Sequence, residues 1–145
     1  MRYIVLAVGL FILDQWSKWL VMSKMAQGDS IPLIDGLFYL TYVRNPGAAF
    51  GMLPYKTVFF VVVTIAVLIG IIIFFRRIPE DRVLLKMGLA LEVGGAAGNL
   101  LDRLRFGHVI DFFDFRVWPV FNVADIGIVI GVGILFIELG RRGNG

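Results

Sequence analysis

Four apolar runs divide the 145-residue chain, at about 3–22, 58–75, 83–101 and 123–139. A helix needs roughly 20 such residues to cross a hydrocarbon core about 30 Å thick, and each run reaches that length with its flanks. The first run is interrupted by Asp14, Gln15, Ser17 and Lys18, whereas the second has only Thr64 as a polar position. The third carries Lys86 and Glu92, and the fourth is rich in Val, Ile and Gly. Between the first two runs the pattern changes: Ile31–Ile34 and Leu37–Val43 flank Asp35-Gly36. Asp-Gly between β-prone segments predicts a hairpin, and Phe38, Tyr39 and Tyr42 suit the headgroup level. The expected architecture is an all-α polytopic membrane protein, residues 1–145 forming one integral-membrane domain. It has four transmembrane helices and a small extracytoplasmic β-sheet element between helices 1 and 2.

Composition supports a bilayer as solvent, with 59% apolar residues, 17% charged residues and a mean hydropathy of +0.85. The net charge of +3 does not indicate nucleic acid, because the basic residues lie at the ends of apolar runs rather than in a patch interleaved with aromatics. Arg2, then Arg76, Arg77 and Arg82, then Arg141 and Arg142 fall on one side of a four-helix chain, which places both termini in the cytoplasm. Lys24, Arg44, Lys56, Arg105 and Arg116 on the opposite side make that bias moderate. A cleaved signal peptide is the alternative for the first run; Asp14 within its apolar stretch and the lack of a small-x-small site favour a retained span. The chain has no cysteine and one histidine, His108, so thiol catalysis and Cys- or His-rich metal sites are excluded. No metal or cofactor is expected.

An ionisable residue in a span costs about 2.5–3.5 kcal/mol at mid-helix and needs a reason. Asp14 and Lys18, four apart, share a helical face and form a candidate ion pair that ties helix 1 to the bundle. In Gly94-Gly-Ala-Ala-Gly-Asn-Leu-Leu-Asp-Arg103 the small residues point to close helix packing, Asn99 and Asp102 share a face, and Asp102 with Arg103 reads as a structural charge cluster. Asn122 and Asp125 have the spacing of an N-cap and its N3 partner, so capping alone explains that pair in isolation. Asp111, in Val-Ile-Asp-Phe-Phe-Asp, adds a second carboxylate among apolar neighbours near the same membrane boundary. Two carboxylates close together in a low dielectric share a proton. The protonated one can polarise a peptide carbonyl while the ionised one activates water. Asp125, at the positive end of a helix dipole, is the expected ionised partner.

The set Asp14-Gln-Trp-Ser-Lys18, Arg44-Asn-Pro-Gly-Ala-Ala-Phe50, Gly94 to Arg103, Val109-Ile-Asp-Phe112 and Phe121-Asn-Val-Ala-Asp125 resembles bacterial lipoprotein signal peptidase (signal peptidase II) across nearly the whole chain. The resemblance implies an aspartyl endopeptidase of the bacterial cytoplasmic (inner) membrane, active near the outer face. Its substrates would be prolipoproteins with a lipobox and a diacylglyceryl cysteine, cut just before that cysteine. It puts the catalytic dyad on Asp111 and Asp125, substrate contacts on Asn45, Asn99, Arg103 and Asn122, and structural polar roles on Asp14, Lys18 and Asp102. The other partners are membrane lipids, and a monomer is expected. In that setting the small residues Gly94 to Gly98 would leave room for the substrate helix or its lipid. Two features depart from the family pattern: Glu92 lies within helix 3, with Lys86 or another helix as its candidate partner, and Phe112–Val120 is short.

Two other functions fit intramembrane acids: a proton-coupled carrier and a non-enzymatic assembly subunit. Carriers place their sites near the midplane and often show internal repeats; here the acids collect at the boundary and no repeat is evident. An assembly subunit explains Asp14 and Lys18 but not Asp111 with Asp125.

Overall fold

The computed structural model describes residues 1–47 and 56–143. In chain order it contains α1 (Arg2–Lys24), β1 (Ser30–Ile34), β2 (Phe38–Asn45), α2 (Thr57–Phe75), α3 (Val83–Phe106), β3 (Val109–Asp114) and α4 (Val123–Gly143). All four helices are long and apolar enough to cross a membrane. α3 packs against each of the other three, most closely against α4 and α1. α2 buries none of its residues. A helix apolar all round and covered by protein along one side only is what lipid, but not water, stabilises.

Small residues set the spacing of α1, α3 and α4. A Cβ added at Gly95 would lie 2.6 Å from the Ala124 carbonyl oxygen, one at Gly94 would meet the Ala7 carbonyl, and one at Gly98 would overlap the Asp14 carboxylate. These glycines are therefore filled against α1 and α4, and the expectation that they leave room for a substrate is corrected. Lipid tails are as apolar as leucine, so close backbone approach replaces the hydrophobic effect as the force that joins spanning helices.

At one end of the bundle stand the arginine-rich connections. Tyr3 and Phe75 meet edge to face with centroids 5.6 Å apart, and Arg82 reaches Glu138 at 4.0 Å. Lys86, only 3% exposed, pairs with Glu80 and lies near the Tyr3 and Phe75 rings. It does not pair with Glu92; residues six apart point to different helix faces. Among the described residues, Glu92 Oε1 has no hydrogen-bond partner.

At the other end sits an antiparallel sheet of order β1-β2-β3. Its hairpin is the expected one: Leu37 N–H donates to Ile34 O at 3.0 Å, and Gly36 takes φ of 74°, where a side chain would be strained. The third strand was not expected. It comes from the α3–α4 connection and pairs Asn45 with Val109 and Val43 with Asp111. Between Leu40 and Val43 the register shifts, so β2 carries an extra residue opposite Phe112, a bulge. Val21 of α1 and Met25, just past its end, pack beneath the sheet against Tyr42, Ile110 and Phe112.

Two helices are longer than the hydropathy pattern indicated. α3 runs on to Phe106 and α4 to Gly143, so Arg103 and Arg141 lie within helices rather than beyond them. Charged residues at the last turns are compatible with the helix dipole and with snorkelling. Residues 48–50 of the Arg44–Phe50 motif lie outside the described residues.

Gly98→Ala forces a methyl group into a carboxylate held on several sides, and overpacking of this kind costs roughly 1–3 kcal/mol. Gly70→Ala, with nothing within 4 Å of the new Cβ, meets no obstacle. Thermal unfolding in detergent is expected to show a clear loss for Gly98→Ala and no loss for Gly70→Ala.

Candidate active site

The polar residues of α1, α3, β3 and α4 converge where the bundle meets the sheet. Lys18 Nζ lies 2.8 Å from Asp14 Oδ2, 2.8 Å from Asp102 Oδ2 and 3.0 Å from Asn99 Oδ1. All four side chains are buried. An ammonium has three protons and no acceptor, so these three contacts use its whole capacity. The same acids hold other elements. Asp14 Oδ1 accepts the Ala124 N–H of α4 at 2.9 Å, and Asp102 Oδ2 accepts the Ile110 N–H of β3 at 3.0 Å. Gln15, which sequence reasoning left without a role, donates to Asp14, Asp102 and the Gly98 carbonyl, each at 3.1 Å.

Asp102 and Arg103 do not form the charge cluster expected of them. Consecutive helical residues diverge by about 100°, so Asp102 turns into the Lys18 group while Arg103 turns outward. Its Nη2 donates to the Gly47 carbonyl at 3.2 Å, and its guanidinium lies 5.2 Å from the Phe60 ring centroid.

Asn122 and Asp125 form a reciprocal capping box. Asp125 N–H donates to Asn122 Oδ1 at 2.9 Å, and Asn122 N–H donates to Asp125 Oδ2 at 3.1 Å. Both residues also bond beyond the cap. Asn122 Nδ2 donates to Asp111 Oδ1 at 2.8 Å, and Asn99 Nδ2 donates to Asp125 Oδ1 at 3.0 Å. The second oxygen of Asp111 accepts from Asn45 Nδ2 at 3.1 Å. β3 thus delivers one carboxylate and the first turn of α4 the other, with amide donors on each.

Both carboxylates line one cavity of about 510 Å³. Asn45, Asn99, Arg103, Asp111 and Asp125 make its polar side; Trp118, Phe121, Ile126, Val129 and Ile130 make an apolar side. The apolar side was not foreseen, because Trp118, Pro119, Val120 and Phe121 sit in a short connection whose direction depends on the fold. That connection is held to the sheet: Phe121 pairs with Phe113, Arg116 N–H donates to Asp114 Oδ1 at 2.8 Å, and Arg116 Nη2 donates to Ser30 Oγ at 2.7 Å. A second cavity, of about 330 Å³, lies at the arginine end beside Asp81, Glu138 and Arg141, away from every predicted site residue. Among the described residues, no group of three or more His, Cys, Asp and Glu is placed to hold a metal ion.

Burial, and then the nearby Asp125 carboxylate, push Asp111 up to about 7 from its ordinary 3.8, although Asn45 and Asn122 donate to it. A proton is therefore held on the pair up to about neutral pH. The pair can then offer a hydrogen-bond donor and a base at once.

Fold and polar cluster define a small multi-pass membrane protein with a carboxylate-bearing pocket at the sheet end of its bundle. A family model described as signal peptidase (SPase) II matches residues 6–141, and the chain belongs to this family of membrane peptidases. It is 52% identical over 139 residues to the lipoprotein signal peptidase of Moorella thermoacetica, covering 96% of this chain and 93% of that protein. Over 142 residues it is 46% identical to the lipoprotein signal peptidase of Halothermothrix orenii, covering 98% of this chain and 97% of that protein. A bacterial membrane enzyme solved by the in meso method superposes with a TM-score of 0.93 at 35% identity, over 98% of this chain and 89% of that one. A second such structure superposes with a TM-score of 0.87 at 36% identity, over 95% and 92%.

The raised Asp111 opposes folding as pH rises. Below about 4 the group is protonated in both folded and unfolded chains and costs nothing. Between 3.8 and about 7 the unfolded chain releases the proton while the folded chain keeps it, so stability falls, and above about 7 the loss is complete. Asp111→Asn removes this term. Its melting temperature relative to wild type is expected to climb between pH 4 and 7 and then level off, the full gain being on the order of a few kcal/mol. Parallel melting curves across that range would refute the placement of the proton.

Proposed function

We propose that this protein is an intramembrane aspartyl endopeptidase that removes signal peptides from diacylglyceryl-modified prolipoproteins, cutting before the lipidated cysteine. The observation that carries the reading is the opening of Asp111 and Asp125 into one cavity with a polar and an apolar side. The protonated Asp111 donates to the scissile carbonyl oxygen, and the ionised Asp125 takes a proton from water as its oxygen attacks the carbonyl carbon. The tetrahedral diol then collapses: one diol O–H returns its proton to Asp111 as the C=O re-forms, the C–N bond breaks, and the proton gained by Asp125 passes to the departing cysteine nitrogen. Water supplies both oxygen and protons, so the pair ends as it began.

Asn45, Asn99, Arg103 and Asn122 serve this step as substrate contacts and as donors to the two carboxylates. Asp14, Lys18 and Asp102 hold the helices that carry them. The apolar side suits a substrate with a signal helix and acyl chains. Relatedness to lipoprotein signal peptidases supports the prolipoprotein substrate. The clustering of Arg2, Arg76, Arg77 and Arg82 opposite the sheet supports a bacterial inner-membrane protein with cytoplasmic termini and a site near the outer face. In this reading the protein acts as a monomeric single domain.

Cleavage of a diacylglyceryl-modified prolipoprotein by purified protein in detergent tests the reading. Wild type is expected to cut before the modified cysteine, while folded Asp111→Asn and Asp125→Asn lose about 10²–10⁴-fold, the usual contribution of acid–base catalysis. Substantial activity in either variant refutes the dyad. Because Asp111 must hold a proton, kcat/KM is also expected to fall on the alkaline side with an apparent pKa of about 7.

A further inference from the structure

The side-chain amide of Asn99 has two possible orientations, and only one helps Asp125. Its Oδ1 faces Lys18 Nζ at 3.0 Å and Asn122 Nδ2 at 3.0 Å, while its Nδ2 faces Asp125 Oδ1 at 3.0 Å. Turning the amide over would set an NH₂ against two donors and a carbonyl oxygen against a carboxylate. The hold from Asn122 is shared: its Nδ2, with two protons, serves Asp111 Oδ1, Asn99 Oδ1 and the Ile110 carbonyl at 2.8, 3.0 and 3.2 Å. The hold from Lys18 is charge-assisted, about twice as strong as a neutral bond, and comes from a group that cannot accept.

We propose that Lys18 is a positioning residue for peptide hydrolysis: its buried ammonium fixes the Asn99 amide so that a hydrogen-bond donor always faces Asp125. Lys18 itself bonds to neither Asp111 nor Asp125, although its charge is also felt at Asp111. It acts from α1 through one side chain of α3, which goes beyond tying helices together. The inference rests on Asp111 and Asp125 being the reacting pair.

Removing Lys18 alone would leave Asp14 and Asp102 buried and unpaired, so the informative variant neutralises the whole group. Asp14→Asn/Lys18→Met/Asp102→Asn keeps an acceptor oxygen for the Ala124 and Ile110 N–H groups and takes the charged donor away from Asn99 Oδ1. Its kcat and KM are measured per folded molecule beside Asn99→Ala, the two combined, and the Asp111→Asn and Asp125→Asn controls. A hydrogen bond to a charged group supports a loss in kcat of about ten- to a hundredfold for the triple variant, with KM little changed, and a similar loss in kcat for Asn99→Ala, whose KM also rises because a substrate contact is lost. The combination should be no slower than the slower of the two, since both remove the same donor.

A triple variant with wild-type kcat, or losses that multiply in the combination, would overturn the proposal while the inactive controls leave the reacting pair standing. Activity in a control overturns the pair and this proposal with it. If the triple variant does not fold, Lys18→Met/Asp102→Asn, which preserves the cluster's net charge, is compared in its place. The Asn99 side-chain resonance in ¹⁵N-asparagine-labelled wild type, assigned by its loss in Asn99→Ala, gives an independent check. It should move on Asp125→Asn; a resonance that ignores that change overturns the proposal.

Discussion

A buried ammonium in a membrane protein cannot stand without anions, and the fold is arranged around this requirement at Lys18. Its two carboxylate partners come from α1 and α3. Each also accepts a backbone N–H from a third element, Asp14 from the start of α4 and Asp102 from β3. One charged group thus fixes the relative positions of three helices and a strand. Ionic groups of this kind are weak contributors to net stability, yet removing one partner is costly because it strands the other's charge in the interior. The glycine contacts serve the same arrangement, since the Asp14 carboxylate fits only because Gly98 has no side chain.

The polar network is graded from this point. Around Lys18 every contact is satisfied and buried. One step further, Asn99 and Asn122 have their carbonyl oxygens held by donors, so their amide nitrogens face Asp125 and Asp111. At the end of the chain of contacts, the two carboxylates border a cavity. Rigid support behind and open space in front is the condition under which a pair of acids can keep unequal proton affinities and meet a substrate. Signal peptidase II membership and the proposed hydrolysis both fit this arrangement.

The sheet matters to the site through its third strand. β3 carries Asp111, and its pairing with β2 brings Asn45 within hydrogen-bond distance of that carboxylate. The bulge opposite Phe112 lets the two strands stay paired on both sides of the irregularity. Without β3 the hairpin would be a two-stranded ribbon on the membrane surface, which is marginal in isolation.

Hydropathy alone determined the four spans, because lipid demands an uninterrupted apolar length from each helix whatever its neighbours. The hairpin was legible for a similarly local reason, since Asp35-Gly36 supplies the backbone freedom the turn needs. The capping box at Asn122 and Asp125 and the Asp14–Lys18 pair were legible too, being contacts over three or four residues. Beyond that reach only the shared membrane boundary and the family resemblance joined Asp111 to Asp125, and the packing itself was not legible. Asp102 turns to Lys18 and Arg103 away from it, β3 joins a hairpin some 65 residues earlier in the chain, with Asn45 opposite Val109, and the glycines are filled rather than open. Each of these depends on which helix face meets which neighbour, and only the packed tertiary structure decides that.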